Sequence, residues 1–159
     1  MHEYYMRLCI EEARAAQKEN EVPVGCVIVY ENKIIAKTHN LCHALKDPTA
    51  HAELLAIREA LQFLGKGTLS GCTLYVSLEP CAMCAGAIVN SRVSRLIYGA
   101  HDPACGCAGS VYRITEDPAF VHFCKSDGGI LEEECAELLK TFFAERRTIA
   151  ASRTRRENE

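Results

Sequence analysis

Two short strings in this chain carry residue types that can hold a metal ion and move protons: His51-Ala52-Glu53 and Pro80-Cys81-Ala82-Met83-Cys84. Cys81 and Cys84 stand three apart, so at the start of a helix they share a face and can grip one ion. In a first turn the unpaired amides and the helix dipole favour thiolate over thiol. His51 would add a nitrogen ligand. Two sulfurs and one imidazole suit zinc, and three protein ligands leave the fourth tetrahedral position to water, as in a catalytic site. A structural site would need a fourth ligand at fixed spacing, and none stands nearby. Zinc lowers the pKa of bound water toward about 7. Glu53, beside the ion but not a ligand, could take a proton from that water and hand it to a substrate. Each string alone is weak, since His-x-Glu arises by chance and Cys-x-x-Cys also marks redox pairs and half-sites of structural zinc. Their conjunction carries the reading.

Residues two apart on a regular helix point away from each other, so His51 and Glu53 serve one site only if it caps a helix end. Asp47-Pro48 predicts a helix start just ahead of them, with the helix running through Leu54, Ile57, Ala60 and Leu61 to Gly65 and Gly67. Residues 2 to about 19 predict an amphipathic helix, with Tyr5, Leu8, Cys9 and Ala16 on one side. Val24 to Tyr30 reads as a buried strand, followed by a turn at Glu31-Asn32-Lys33 and a partner strand to Thr38. A polar loop is expected over 40–47, a third strand over Thr73 to Leu78 and a short helix opened by Pro80. A fourth strand follows from Arg95 to Gly99, and then a loop marked by Asp102-Pro103, Gly106 and Gly109. Residues 111–127 follow no clear pattern. Leu131, Cys135, Leu138, Leu139 and Phe142 form one apolar stripe on a last helix, whose periodicity stops near Ile149 and leaves the order of the tail open. Strands alternating with helices predict an α/β sheet with helices on its faces. With no repeat or linker, residues 1–159 read as one domain.

The chain has 159 residues, 48% apolar and 25% charged, an ordinary globular composition. Its formal net charge of −3 argues against a strongly basic nucleic-acid binder and leaves room for a local patch. Arg146, Arg147, Arg153, Arg155 and Arg156 are such a patch or a solvated helix end. The first residues carry charge early, unlike a signal peptide, and no stretch approaches the roughly 20 apolar residues of a membrane helix. The ten cysteines are therefore expected to be reduced in a cytoplasmic protein, with Cys9, Cys26, Cys72 and Cys135 as core residues and Cys105 and Cys107 as free thiols. Phe142 and Phe143 read as core or rim packing, Asn40 as a turn stabiliser, and Gly25 as a strand end or a close approach to ligand.

The strings Glu21-Val22-Pro23-Val24-Gly25, Asp47-Pro48-Thr49-Ala50-His51-Ala52-Glu53, Leu74 to Ala87, Ala108-Gly109-Ser110 and Gly129 to Cys135 extend over most of the chain. Together they resemble the zinc-dependent cytidine-deaminase-like family, and within it the TadA-type tRNA-specific adenosine deaminases. The His-x-Glu…Pro-Cys-x-x-Cys pattern is that family's own signature. The resemblance implies a three-layer α/β/α fold with one mixed central sheet flanked by helices. It implies Zn2+ on His51, Cys81 and Cys84, with Glu53 as proton shuttle. It also implies a base-binding pocket of Asn40, Val24 and the backbone near Ala52. The implied reaction converts adenosine to inosine at the wobble position of a tRNA anticodon stem-loop, with release of ammonia, in an enzyme that is a homodimer. The chain departs from the family's pattern where Ala104 follows Asp102-Pro103 in place of a basic residue, and at Val121-His122-Phe123. Fewer phosphate contacts weaken nucleic-acid binding. Deamination of a free guanine, adenine derivative or cytosine, or its nucleoside, is thus the alternative substrate reading. A non-enzymatic zinc or thiol module is the third.

Overall fold

In the computed structural model, which describes residues 1–159, the alternating pattern closes into one sheet with a helical layer on each side. The chain runs α1 (His2–Lys18), β1 (Gly25–Tyr30), β2 (Lys33–His39), α2 (Cys42–Leu45), α3 (Ala52–Leu64), β3 (Cys72–Leu78), α4 (Ala82–Asn90), β4 (Arg95–Ala100), β5 (Lys125–Asp127) and α5 (Glu132–Glu157). The strand order is β2-β1-β3-β4-β5. The β1 strand pairs antiparallel with β2 and β3, while β3–β4 and β4–β5 are parallel. The sheet is mixed, as expected.

Side chains alternate across a strand, and this sorts the core into two layers. Cys26 and Ile28, Leu74 and Val76, and Leu96 and Tyr98 face one cluster with Ala52, Ala56, Ile57 and Ile88 of α3 and α4. Val27, Val29, Tyr75 and Ile97 face the other, with Tyr5, Cys9 and Ile10 of α1 and Cys135 of α5. Gly25 stands where α1 crosses the start of β1. A side-chain carbon there would collide with the Cys9 carbonyl, so the glycine serves helix packing and not a ligand.

Three local expectations are corrected. Residues 42–45 form one turn of helix within the expected polar loop, because the Glu21 carboxylate accepts the amides of His43 and Ala44 at its start (2.6 and 3.0 Å). Asp47-Pro48 does not start α3: Asp47 Oδ1 accepts the Thr49 amide and hydroxyl (2.8 and 2.7 Å) in a closed turn, and α3 begins at Ala52. Pro80 likewise precedes α4, whose N-cap is Cys81. Within 111–127, a 3-10 turn at Ile114–Glu116 leads to the edge strand β5. The last helix continues past Ile149 to Glu157 with its final residues exposed.

Candidate active site

The start of α3 and the start of α4 meet beside the start of β1 and the end of β3. His51 and Cys81 occupy the N-cap positions of the two helices, both with extended backbone, and neither caps its own helix. The α3 cap comes from Asn40 instead, whose Oδ1 accepts the Ala52 amide at 2.7 Å. Thr38 Oγ1 donates to the Ala52 carbonyl at 2.7 Å and fixes the helix start to β2. The His51 side chain is thereby left to face α4. Placing His51 at the cap and Glu53 one residue past Ala52 resolves the difficulty of their spacing, since both lean over the helix end.

His51 Nδ1 lies 3.6 Å from Cys81 Sγ and 3.5 Å from Cys84 Sγ, and the three ligand atoms lie within 4.8 Å of one another. Zinc bonds of about 2.3 Å to sulfur and about 2.0–2.1 Å to nitrogen at a tetrahedral angle require N···S separations of about 3.5–3.6 Å. The donor set therefore fits zinc in both chemistry and spacing. Hydrogen bonds from Cys84 and His51 pull the Cys81 thiol down to about 4 against the opposing effect of burial. Cys84 is pushed up, first by its bond to Cys81 and then by burial. A divalent cation between the two sulfurs would favour the thiolate form of both.

Glu53 is buried at 4% exposure, and burial pushes its carboxyl up from the ordinary range. It lies against Cys84 and His51 and lines a cavity of about 580 Å3 together with His51 and Cys81. Val24 and Asn40 line the same cavity. Ala52 does not: it is fully buried and its amide is engaged by Asn40, so no donor there faces a ligand. Asn40 has its Oδ1 occupied and keeps Nδ2 as its free donor.

Several further residues line the cavity. Glu21 and Glu79 are buried carboxylates (each 2% exposed) on the cavity wall, and Asp102, Cys105 and Arg146 join them. Phe142 is buried and Phe143 half-exposed, and both face the cavity. Arg146 lies over the Phe142 ring at 4.8 Å and donates to the Asn20 carbonyl at 2.6 Å. The nearest thing to a signal for Glu79 was its place directly before Pro80-Cys81.

A family described as the cytidine and deoxycytidylate deaminase zinc-binding region matches residues 1–100. The tRNA-specific adenosine deaminase of Bacillus subtilis is 47% identical over 145 residues, covering 91% of this chain and 90% of that protein. A structure from work on A-to-I editing by tRNA:A34 deaminases at the wobble position of transfer RNA has a TM-score of 0.83 at 44% identity. It covers 86% of this chain and 99% of its own. A guanine deaminase from Bacillus subtilis has a TM-score of 0.62 at 40% identity, covering 64% of this chain and 65% of its own. With the zinc-fitting triad at the two helix starts, these likenesses place the chain in the zinc-dependent cytidine-deaminase family, on its tRNA-specific adenosine deaminase branch.

Proposed function

We propose that this chain is a hydrolytic deaminase that converts adenosine to inosine at the wobble position of a tRNA anticodon stem-loop, and that His51, Cys81 and Cys84 hold its zinc. The observation that carries the zinc assignment is the pair of 3.5–3.6 Å N···S separations at the floor of the cavity. Likeness to tRNA deaminases along nine-tenths of the chain supports the substrate. When bound, zinc supplies a Lewis acid that makes water nucleophilic at neutral pH. In the reaction a C–O bond forms at C6 of the purine, the C6–N bond breaks, and the amine leaves as ammonia.

The chain's own residues do the rest. Glu53, buried and with its pKa raised, is suited to accept the proton that the attacking water loses and to deliver it to the departing nitrogen. Asn40 lines the cavity with Oδ1 already engaged, which leaves Nδ2 as the group that would donate to an acceptor of the base. Val24 and Phe142 supply apolar faces that exclude water from the ring. Arg146 at the rim, with Arg147, Arg153, Arg155 and Arg156 exposed farther along α5, offers charge to the RNA backbone.

Residues 1–159 act as one deaminase domain on this reading. The exposed Tyr112, Phe120, Val121 and Phe123 supply an apolar surface that suits a homodimer, which sedimentation would detect. No helix is long and apolar enough to cross a membrane. A cytoplasmic location accords with a tRNA substrate and with thiolate ligands that need a reducing compartment.

The net charge of −3 and the likeness to a guanine deaminase favour a second reading, deamination of a free base or nucleoside. Ammonia release from an anticodon stem-loop, run beside guanine, adenine and cytosine, separates the two. Turnover of the stem-loop alone is expected. Rapid turnover of guanine with an inert stem-loop would establish the second reading.

A further inference from the structure

The segment between β4 and the 3-10 turn has little regular structure of its own, yet it forms one wall of the cavity through Asp102 and Cys105. Most of what pins it converges on two consecutive residues at the end of β3. Glu79 Oε1 accepts the Asp102 amide (3.1 Å) and the Ser110 hydroxyl. Glu79 Oε2 accepts the amides of Ala108 (3.1 Å) and Ser110 (3.0 Å). The Cys107 amide donates to the Pro80 carbonyl at 2.8 Å. Gly106 passes so close to the Glu79 carboxyl that a side-chain carbon there would collide with it. A carboxylate with two oxygens and no proton can accept all four of these donors, and no neutral side chain can.

We infer that Glu79 is a positioning residue of the deaminase, whose buried carboxylate sets the 102–110 wall against the cavity and thereby governs how substrate is held. It touches no reacting atom. Its oxygens face the loop, and the residue two beyond it, Cys81, faces the metal site. A disturbed Glu79 therefore loosens the wall and leaves the floor in place. The kinetic part of this inference rests on the tRNA-deaminase reading above, and the structural part does not.

Glu79→Gln is the informative change. Whichever way its amide is turned, an NH2 group meets at least one backbone N–H that had an acceptor, and that buried donor is orphaned. In zinc-loaded protein, hydrogen exchange at one or more of the Asp102, Ala108 and Ser110 amides is expected to quicken about tenfold or more, the scale of one buried donor losing its partner. Exchange at Val76 and Ile97 in the sheet and the zinc content should match wild type. On the stem-loop, KM should rise about tenfold with kcat within about threefold, since the loss falls on binding and not on the chemical step. Wild-type exchange and KM in Glu79→Gln would overturn the inference. So would lost zinc and a lowered kcat with KM unchanged, which would make Glu79 a support of the metal site. If Glu79→Gln does not fold, Ser110→Ala removes a single donor; about two- to threefold in KM and quicker exchange at residue 110 is then expected, and wild-type behaviour overturns the proposal. Should wild type itself leave the stem-loop untouched, the substrate reading fails, and the exchange data still decide the role of Glu79.

Discussion

The floor of the cavity and its walls are built on different plans. The floor comes from two strings, 51–53 and 81–84, each at the start of a helix, and its triad is pre-set to within the tolerance of zinc coordination. The walls come from segments far apart in the chain: Glu21 ahead of β1, Asn40 after β2, Asp102 and Cys105 after β4, and Phe143 and Arg146 on α5. Floor residues are held by helix geometry. Wall residues are held by side chains reaching across loops, as Glu21 and Glu79 do with their backbone amides. The contrast teaches that the bond-breaking chemistry is a local property of short sequence, while the choice of substrate is spread over the fold.

The sharpest way to break that contrast is to damage the floor and ask whether the walls survive. Cys84→Ala removes a fully buried thiol, one of the three proposed zinc ligands, from the start of α4. It should leave the protein without zinc by metal analysis, abolish turnover and lower the melting temperature, because metal binding is coupled to folding. Full zinc content in that variant would disprove the ligand assignment. Glu53→Gln comes next. It keeps the volume and removes the proposed proton carrier, so kcat should fall about 10²–10⁴-fold with zinc retained. Unchanged function there would favour a scaffold role for the metal.

The same contrast explains what could be read in advance. The clustering of His51, Cys81 and Cys84 with Glu53, the sheet and the helices facing it follow from spacing and periodicity, which are local. Asp47-Pro48 has the residue types of a helix start but forms a closed turn, while the cap of the Ala52 amide is Asn40, twelve residues earlier. Asn40 was legible only as a turn residue until the family resemblance gave it a role. Ala52, which the resemblance implies as part of the pocket, is fully buried with its amide engaged by Asn40. Glu21 and Glu79 belong to the strings shared with the family, but nothing local gives either a role, since an isolated glutamate is ordinarily solvent-exposed and only the fold surrounds it with loop amides. The segment 111–127 has no periodicity because its order comes from contacts such as Ser126 N–H to Glu116 and Cys124 N–H to the Thr115 carbonyl.

Asn40 stands where floor and wall join, and its two side-chain ends can be separated. Asn40→Asp keeps an oxygen to accept the Ala52 amide, so α3 should start where it does now and zinc should be retained. It loses the Nδ2 donor and brings a negative charge into the cavity. We expect kcat/KM on the stem-loop to fall about 10- to 100-fold, the scale of one substrate hydrogen bond with its donor removed. Asn40→Ala should add a loss of stability of about 1–3 kcal/mol from the orphaned Ala52 amide. Equal stability in the two variants, measured by denaturant titration, would mean that the cap does not hold the helix start.

The smallest expected effect lies outside both regions and should leave catalysis alone. His39, at the end of β2, bridges Glu12 Oε2 (2.7 Å) and Glu19 Oε2 (3.0 Å) on the side of α1, with Lys37 Nζ 3.9 Å from Glu12. Burial opposes the imidazolium, but the hydrogen bonds to the two carboxylates outweigh it and raise its pKa. A pKa raised in the folded state stabilises the protein fully below the unfolded value of about 6.5 and less as pH climbs through the folded value. Water reaches this cluster and screens it, so the contribution should be under about 1 kcal/mol. His39→Gln should therefore melt about 1–3 °C below wild type at pH 6, with the gap closing above pH 8. A gap that stayed constant across that range would mean that His39 acts through packing against α1 and not through its charge.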